Sequence, residues 1–118
     1  MNEEKRCGNK ETKLIFACAG AANVGIIADR AARTLAKEDF GKMFCLSAIG
    51  AKMPTYLQSA NDADENIVID GCSVLCGKKI FEAAGIKCIS YLVTDMGLEK
   101  GISLVTDENI QKVVDKIT

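Results

Sequence analysis

Four short apolar runs alternate with segments of helical length, and no other feature of the chain constrains its fold as much. Leu14-Ile15-Phe16-Ala17, Met43-Phe44-Cys45-Leu46, Asn66-Ile67-Val68-Ile69 and Cys88-Ile89-Ser90-Tyr91-Leu92-Val93 read as strands. The first three are almost continuously apolar, the pattern of strands covered on both faces, as in a parallel sheet. The segments between them are amphipathic. Val24, Ile27, Ala28, Ala31 and Leu35 form one stripe of a helix that Asn23 can cap and that runs to about Asp39, with Gly41 as its stop. Pro54 suits the first turn of a second helix through Ala60, and a third runs from about Leu75 to Ala84 before Gly85. In the last helix Ile110, Val113, Val114 and Ile117 fall at i, i+3, i+4 and i+7, with Thr106 or Asp107 as the cap.

Strands alternating with helices in this way specify a three-layer, doubly wound α/β fold with a mainly parallel sheet of about four strands. Right-handed crossovers favour the order 2-1-3-4. The crevice of such a sheet opens between the first and third strands at their carboxyl ends, where doubly wound folds bind ligands. At 118 residues, 48% of them apolar, the chain has the size and composition of a single domain with a real core. The reading is a flexible polar leader over 1–12 and one α/β domain over 13–118.

Charge and targeting exclude several roles. Fifteen basic against 16 acidic residues leave a net charge of −1, which supplies no pull toward nucleic acid or anionic lipid. The opening MNEEKRCGNKETK lacks the apolar core of a signal peptide. Leu14–Ala28 is shorter than a membrane span and is interrupted by Gly20, Asn23 and Gly25. A cytoplasmic protein is expected, with neither nucleic acid nor membrane as partner. Histidine is absent, which removes the Ser-His-Asp triad, Cys-His pairs and imidazole metal ligands.

Six cysteines remain, at 7, 18, 45, 72, 76 and 88. In a reducing cytosol they point to metal or thiol chemistry before disulfides. Cys18 ends the first strand, Cys45 lies toward the end of the second, Cys72 follows the third and Cys76 opens the third helix. With strands in the order 2-1-3, about 4.8 Å apart, these four sulfurs converge on one end of the sheet. Tetrahedral zinc thiolate, with Zn–S near ~2.3 Å, needs sulfurs just under ~4 Å apart, which that arrangement reaches. Cys72 and Cys76, read as four apart on a helix, have Cβ atoms ~5–6 Å apart, too far for a disulfide but suited to gripping one ion. The rival reading is that each is a small core hydrophobe. For Cys88, inside an apolar strand, core is preferred; for Cys7, in the charged leader, a free thiol. Spacing alone leaves metal and core both open for the other four.

Asp70-Gly71-Cys72 followed by Cys76-Gly77-Lys78-Lys79, with Cys18-x-Gly-x-x-Asn-Val-Gly and Cys45-Leu46 leading to Ile49-Gly50, resembles the DGC-domain family. Thr94-Asp95-Met96-Gly97-Leu98-Glu99-Lys100 resembles its closing segment, so the likeness spans about residues 14 to 100. The resemblance implies a zinc-binding protein whose four cysteine ligands carry over onto Cys18, Cys45, Cys72 and Cys76. It names a site rather than a reaction. Asn23, Asp70, Lys78 and Asp95 are expected to support that site: Asp70 and Asp95 fall at carboxyl ends of strands, and Lys78 offsets thiolate charge.

The expected function is therefore a small cytoplasmic protein holding zinc through four thiolates at the carboxyl end of the sheet. A complete thiolate shell has no open position and favours a structural, carrier or sensing role. The same four cysteines suit an iron–sulfur cluster. A different class is a thiol redox or sulfur-transfer enzyme in which Cys18 attacks and Cys72 or Cys76 resolves. The Gly20–Gly25 loop joins a strand to a helix N-terminus and is a candidate cradle for a small anion, although a glycine turn for close packing is the preferred reading. The run 61–66 reads as a solvated loop, without the glycine and terminal glutamate of a calcium loop.

Overall fold

The computed structural model describes residues 11–118. Its elements are β1 (Lys13–Ala17), α1 (Asn23–Lys37), β2 (Lys42–Met43), α2 (Leu46–Gly50), α3 (Pro54–Asp62), β3 (Glu65–Asp70), α4 (Cys76–Ala84), β4 (Ile89–Leu92), a 3₁₀ turn (Val93–Met96) and α5 (Asp107–Ile117). The four strands form one parallel sheet in the order β2-β1-β3-β4, as the alternating pattern requires. Five paired residues join β1 to β3, from Lys13 with Glu65 to Ala17 with Ile69. These two central strands end together, and Cys18 adds one more rung by donating its N–H to the Ile69 carbonyl at 3.1 Å.

Successive strand residues face opposite ways, which divides the core into two layers. Ile15, Ala17, Ile67 and Ile69 pack with the α1 stripe of Val24, Ile27, Ala28, Ala31 and Leu35, and with Ile110, Val113, Val114 and Ile117 of α5. Leu14, Phe16 and Val68 face the other layer, against Leu46, Ile49, Ala60 and Phe81. Phe16 stands edge-on to both Phe44 and Phe81, with ring centroids 5.8 and 4.9 Å away. Thr106 caps α5 by accepting the Asn109 N–H at 3.1 Å, and Asp107 and Glu108 occupy its first turn.

Several local expectations are corrected. The second apolar run is not a four-residue strand: β2 is Lys42–Met43, and Cys45 stands at the N-terminal boundary of a short helix instead. Leu46 and Ile49 bury at helical spacing, i and i+3, so the run satisfies two periods and tertiary packing selects the helix for its second half. The first helix stops at Lys37 through a left-handed Asp39 (φ 64°) rather than at Gly41. Gly41 serves close approach to β1, because a Cβ there would lie 2.9 Å from the Lys13 carbonyl oxygen. The 61–66 run is a loop only at Ala63-Asp64; the rest is the end of α3 and the start of β3. Thr12, read as leader, is bonded: its carbonyl accepts the Asp64 and Glu65 N–H groups and its own N–H donates to Asp64 Oδ2 at 2.6 Å.

Candidate functional site

At the carboxyl end of the sheet, two tight connections bring the central strands onto helix N-termini. Gly20, Gly25 and Gly71 make them possible. A Cβ on Gly71 would lie 2.7 Å from the Gly25 nitrogen, and one on Gly25 would lie 2.6 Å from the Gly20 carbonyl oxygen. Backbone therefore packs on backbone where the post-β1 loop, the start of α1 and the segment after β3 meet. This supports the close-packing reading of the Gly20–Gly25 loop.

Asp70, the last residue of β3, is buried with its charge satisfied by α4. Its Oδ1 accepts the Gly77 N–H at 2.8 Å and its Oδ2 the Lys78 N–H at 3.0 Å. The carboxylate thus caps α4 from outside the helix, where the helix dipole favours negative charge. Gly77 leaves room for it: a Cβ there would meet Val68 Cγ1 at 2.6 Å and Asp70 Oδ1 at 2.9 Å. Between Asp70 and α4 the chain makes a turn, the Leu75 N–H donating to the Cys72 carbonyl at 3.0 Å. Leu75 holds a left-handed conformation (φ 57°, ψ 45°). That geometry costs a branched side chain about 1–2 kcal/mol, so the surroundings must hold it in place. Cys72 consequently sits in a turn and Cys76 at the first helical position. That is the placement expected of each, and the helical spacing used for the pair does not apply to them.

Cys18, Cys72 and Cys76 line one cavity of about 490 Å³ together with Asp70, Gly71 and Lys100. The Gly71 N–H donates to Cys18 Sγ at 3.3 Å, and Lys100 Nζ lies 3.6 Å from Cys72 Sγ. Cys45 does not line this cavity. It lies in an adjoining recess of about 330 Å³ that shares Cys18 and includes Arg33, Ser47 and Ile80. Cys18 is therefore the wall common to both spaces. All five described cysteines are free thiols, and among the described residues no three Cys, Asp or Glu side chains are gathered closely enough to hold one ion. The topology brings the four sulfurs to one end of the sheet, as expected, but the outward step into α2 sets Cys45 apart from the other three. Cys7 lies outside the described residues.

The supporting residues separate by role. Lys78 meets Asp70 at the α4 cap through its backbone N–H alone, and Lys78 lines neither cysteine space, so its expected place beside the thiolates is corrected. Asn23 does not cap α1; Ala22 holds that position. Its amide instead makes three bonds to the 99–103 segment, where two carbonyls and one N–H match its donors and acceptor better than a single capping bond. Asp95 is exposed in the 3₁₀ turn and lines neither space. Lys100 is the residue that sequence reasoning missed. It closes the Thr94–Lys100 motif but was given no role, because only the folded chain carries it across to Cys72.

The thiols differ in acidity. The Ser47 hydroxyl, 3.2 Å from Cys45 Sγ, and the Ala48 and Ser47 amides hold the Cys45 thiol below its ordinary value. Burial pushes the Cys88 thiol up, assisted by the Asp70 carboxylate. Cys88 packs half-buried against the Phe16 layer just before β4, close to its expected core role. A lowered pKa puts more thiolate at a given pH, so alkylation of Cys45 in chelator-treated protein should persist to lower pH than that of Cys88. Mapping labelled peptides between pH 6 and 9 checks this; equal profiles would contradict the assignment.

Residues 14–117 match the sequence profile of the DGC domain. A relative, the "Anaerobic and virulence modulator AnvM" of Pseudomonas aeruginosa, is 29% identical over 65 residues, which is 55% of this chain and 50% of that protein. The chain thus spans about half the length of that relative over the matched region. No solved structure matches the chain, and no helix among the described residues is long and apolar enough to cross a membrane. With the profile covering every element from β1 to α5 and the Asp-Gly-Cys segment forming the α4 cap and cavity wall, the chain belongs to the DGC-domain family.

Proposed function

We propose that the chain is a small cytoplasmic protein that binds a thiophilic metal ion, zinc in the first instance, through Cys18, Cys45, Cys72 and Cys76. One observation carries this reading: three cysteines from two separate connections line a single cavity, and the fourth lies in the recess that shares Cys18. Cysteines kept merely as small core hydrophobes would have no reason to collect on the ligand-binding end of the sheet. Four thiols are a soft donor set suited to zinc or an iron–sulfur cluster. Loading would have to draw them closer than they now stand. The 72–76 turn bears two of them outside any strand, where movement costs no sheet pairing. A complete thiolate shell favours sensing, carriage or structure, and the relative's name, a modulator, supports sensing among these.

A second reading is a thiol redox or sulfur-transfer enzyme using Cys18 with Cys72 or Cys76. The ammonium of Lys100, 3.6 Å from Cys72 Sγ, favours it, because a cation beside a thiol can draw an anionic reactant to it.

One experiment tests both. Protein purified without air should carry stoichiometric zinc, and chelation should release Cys18, Cys45, Cys72 and Cys76 together to alkylation while Cys88 stays slow. Brown protein with iron and sulfide would indicate the cluster. Cys76→Ser should weaken metal retention by more than the roughly 10- to 100-fold typical of losing an outer-sphere partner; Cys88→Ser should leave it unchanged. If chelator alters nothing and Cys18 alone labels first, the metal reading is wrong and the thiol enzyme replaces it.

A further inference from the structure

The segment after the 3₁₀ turn brings Lys100 to the wall of the cysteine cavity and is secured in three ways. Leu98 is buried in the α1 layer and Val105 packs against the same layer, anchoring both ends. Between them the chain closes on itself: the Ile102 and Ser103 N–H groups donate to the Glu99 carbonyl, and the Glu99 N–H donates to Ser103 Oγ at 2.7 Å. Gly101 supplies the left-handed residue of this turn (φ 82°). Asn23 then ties the turn to α1. Its Nδ2 donates to the Glu99 and Ser103 carbonyls at 3.0 and 2.7 Å, and its Oδ1 accepts the Gly101 N–H at 2.6 Å.

Lys100 projects from this tied turn, and its ammonium is the one cation among the described residues lining the cavity. The other ionisable group of the lining, Asp70, has both carboxyl oxygens engaged by the α4 amides. A lysine side chain is flexible, and a fixed backbone confines the region its ammonium can reach. Here Asn23, in the first turn of α1, provides that fixity for a residue 77 positions further along the chain.

We propose that Asn23 is a positioning residue: it latches the 99–103 turn beside the cavity, keeps the Lys100 ammonium near Cys72, and so makes the cavity select negatively charged ligands and reactants. The proposal rests on the reading of the cysteine cavity as the functional site, whether loaded with metal or acting through its thiols. A unit charge a few ångströms from an approaching anion near a protein surface changes its local concentration several-fold, and salt weakens the effect.

The test uses the full chain stripped of metal by chelator and compares iodoacetate with iodoacetamide at Cys72. Both reagents form an S–C bond and expel iodide, and they differ in charge. The ratio of their rates, anionic over neutral, should fall about fivefold in Lys100→Gln and stay near the parent value in Lys100→Arg. Asn23→Ala should lower it to a similar degree, and Asn23→Ala in the Lys100→Gln background should lower it no further. Amide hydrogen exchange over 99–103 should accelerate in Asn23→Ala and not in Lys100→Gln. A purely structural role for Asn23 would slow or speed both reagents alike and leave the ratio unmoved. A ratio insensitive to Lys100→Gln overturns the anion preference; a ratio lowered by Lys100→Gln but not by Asn23→Ala overturns the latch. Failure of the metal reading would appear in metal content and chelator response, neither of which enters this ratio.

Discussion

Phe16→Ala is expected to remove about 4 kcal/mol of stability, lowering the melting temperature by roughly 15 °C. Phe16 has no solvent exposure and stands between the rings of Phe44 and Phe81 on the central strand. Truncation forfeits the transfer free energy of the ring, both edge-on contacts, and the packing of a void that two flanking aromatics cannot collapse to fill. Because domains of this size are held by about 5–15 kcal/mol, the variant should sit near the edge of folding. Leu104→Ala, at a side chain 71% exposed, should change stability by no more than about 0.5 kcal/mol. Thermal unfolding of the two variants beside the parent measures the contrast. Similar melting temperatures would mean that the Phe16 layer is not the core it is taken to be.

Gly71→Ala should cost about 3 kcal/mol or more and disorganise the cysteine cavity as well. The added methyl would lie 2.7 Å from the Gly25 nitrogen and as close to the Val24 carbonyl carbon, and backbone cannot turn aside as a side chain can. Relief requires the post-β3 segment and the start of α1 to separate. That breaks the Gly71 bond to Cys18 and shifts Cys72 with it. Gly50→Ala is the control. A Cβ there meets Ile80 at an ordinary 3.5 Å within a helix, so the variant should be neutral or gain up to about 1 kcal/mol. Denaturant unfolding gives the energies, and the labelling rate of Cys72 in chelator-treated protein reports the cavity. An unchanged Gly71→Ala protein would show that this junction is looser than its contacts imply.

The Asp-Gly-Cys segment now has a physical account, one residue at a time. Asp70 ends the strand and holds the amides of α4; Gly71 admits the backbone of α1; Cys72 brings a thiol to the cavity wall they share. Each needs the next element in place, which explains why the three are consecutive. The cysteines beyond the motif follow the same geometry, since Cys18 leaves β1 one rung from Ile69 and Cys76 enters α4 beside the cap.

What the sequence by itself determined is the parallel sheet in the order 2-1-3-4, the buried stripes of α1 and α5, and the end of the sheet at which the cysteines collect. Those follow from periodicity and chain order: Ile15 with Ile67 and Val24 with Ile27 are apolar wherever the elements pack, and a right-handed crossover leaves little choice of neighbour. Only the tertiary structure decided that Cys45 leaves the sheet for the N-terminal boundary of a short helix, that Asn23 reaches the 99–103 turn instead of capping its own helix, and that Lys100 lies against Cys72. Each of these pairs a short or ambiguous local signal with a partner on another element, in the last two cases far along the chain. Local propensity ranks the conformations of a segment; the partner that satisfies its polar groups exists only once the sheet has brought it there.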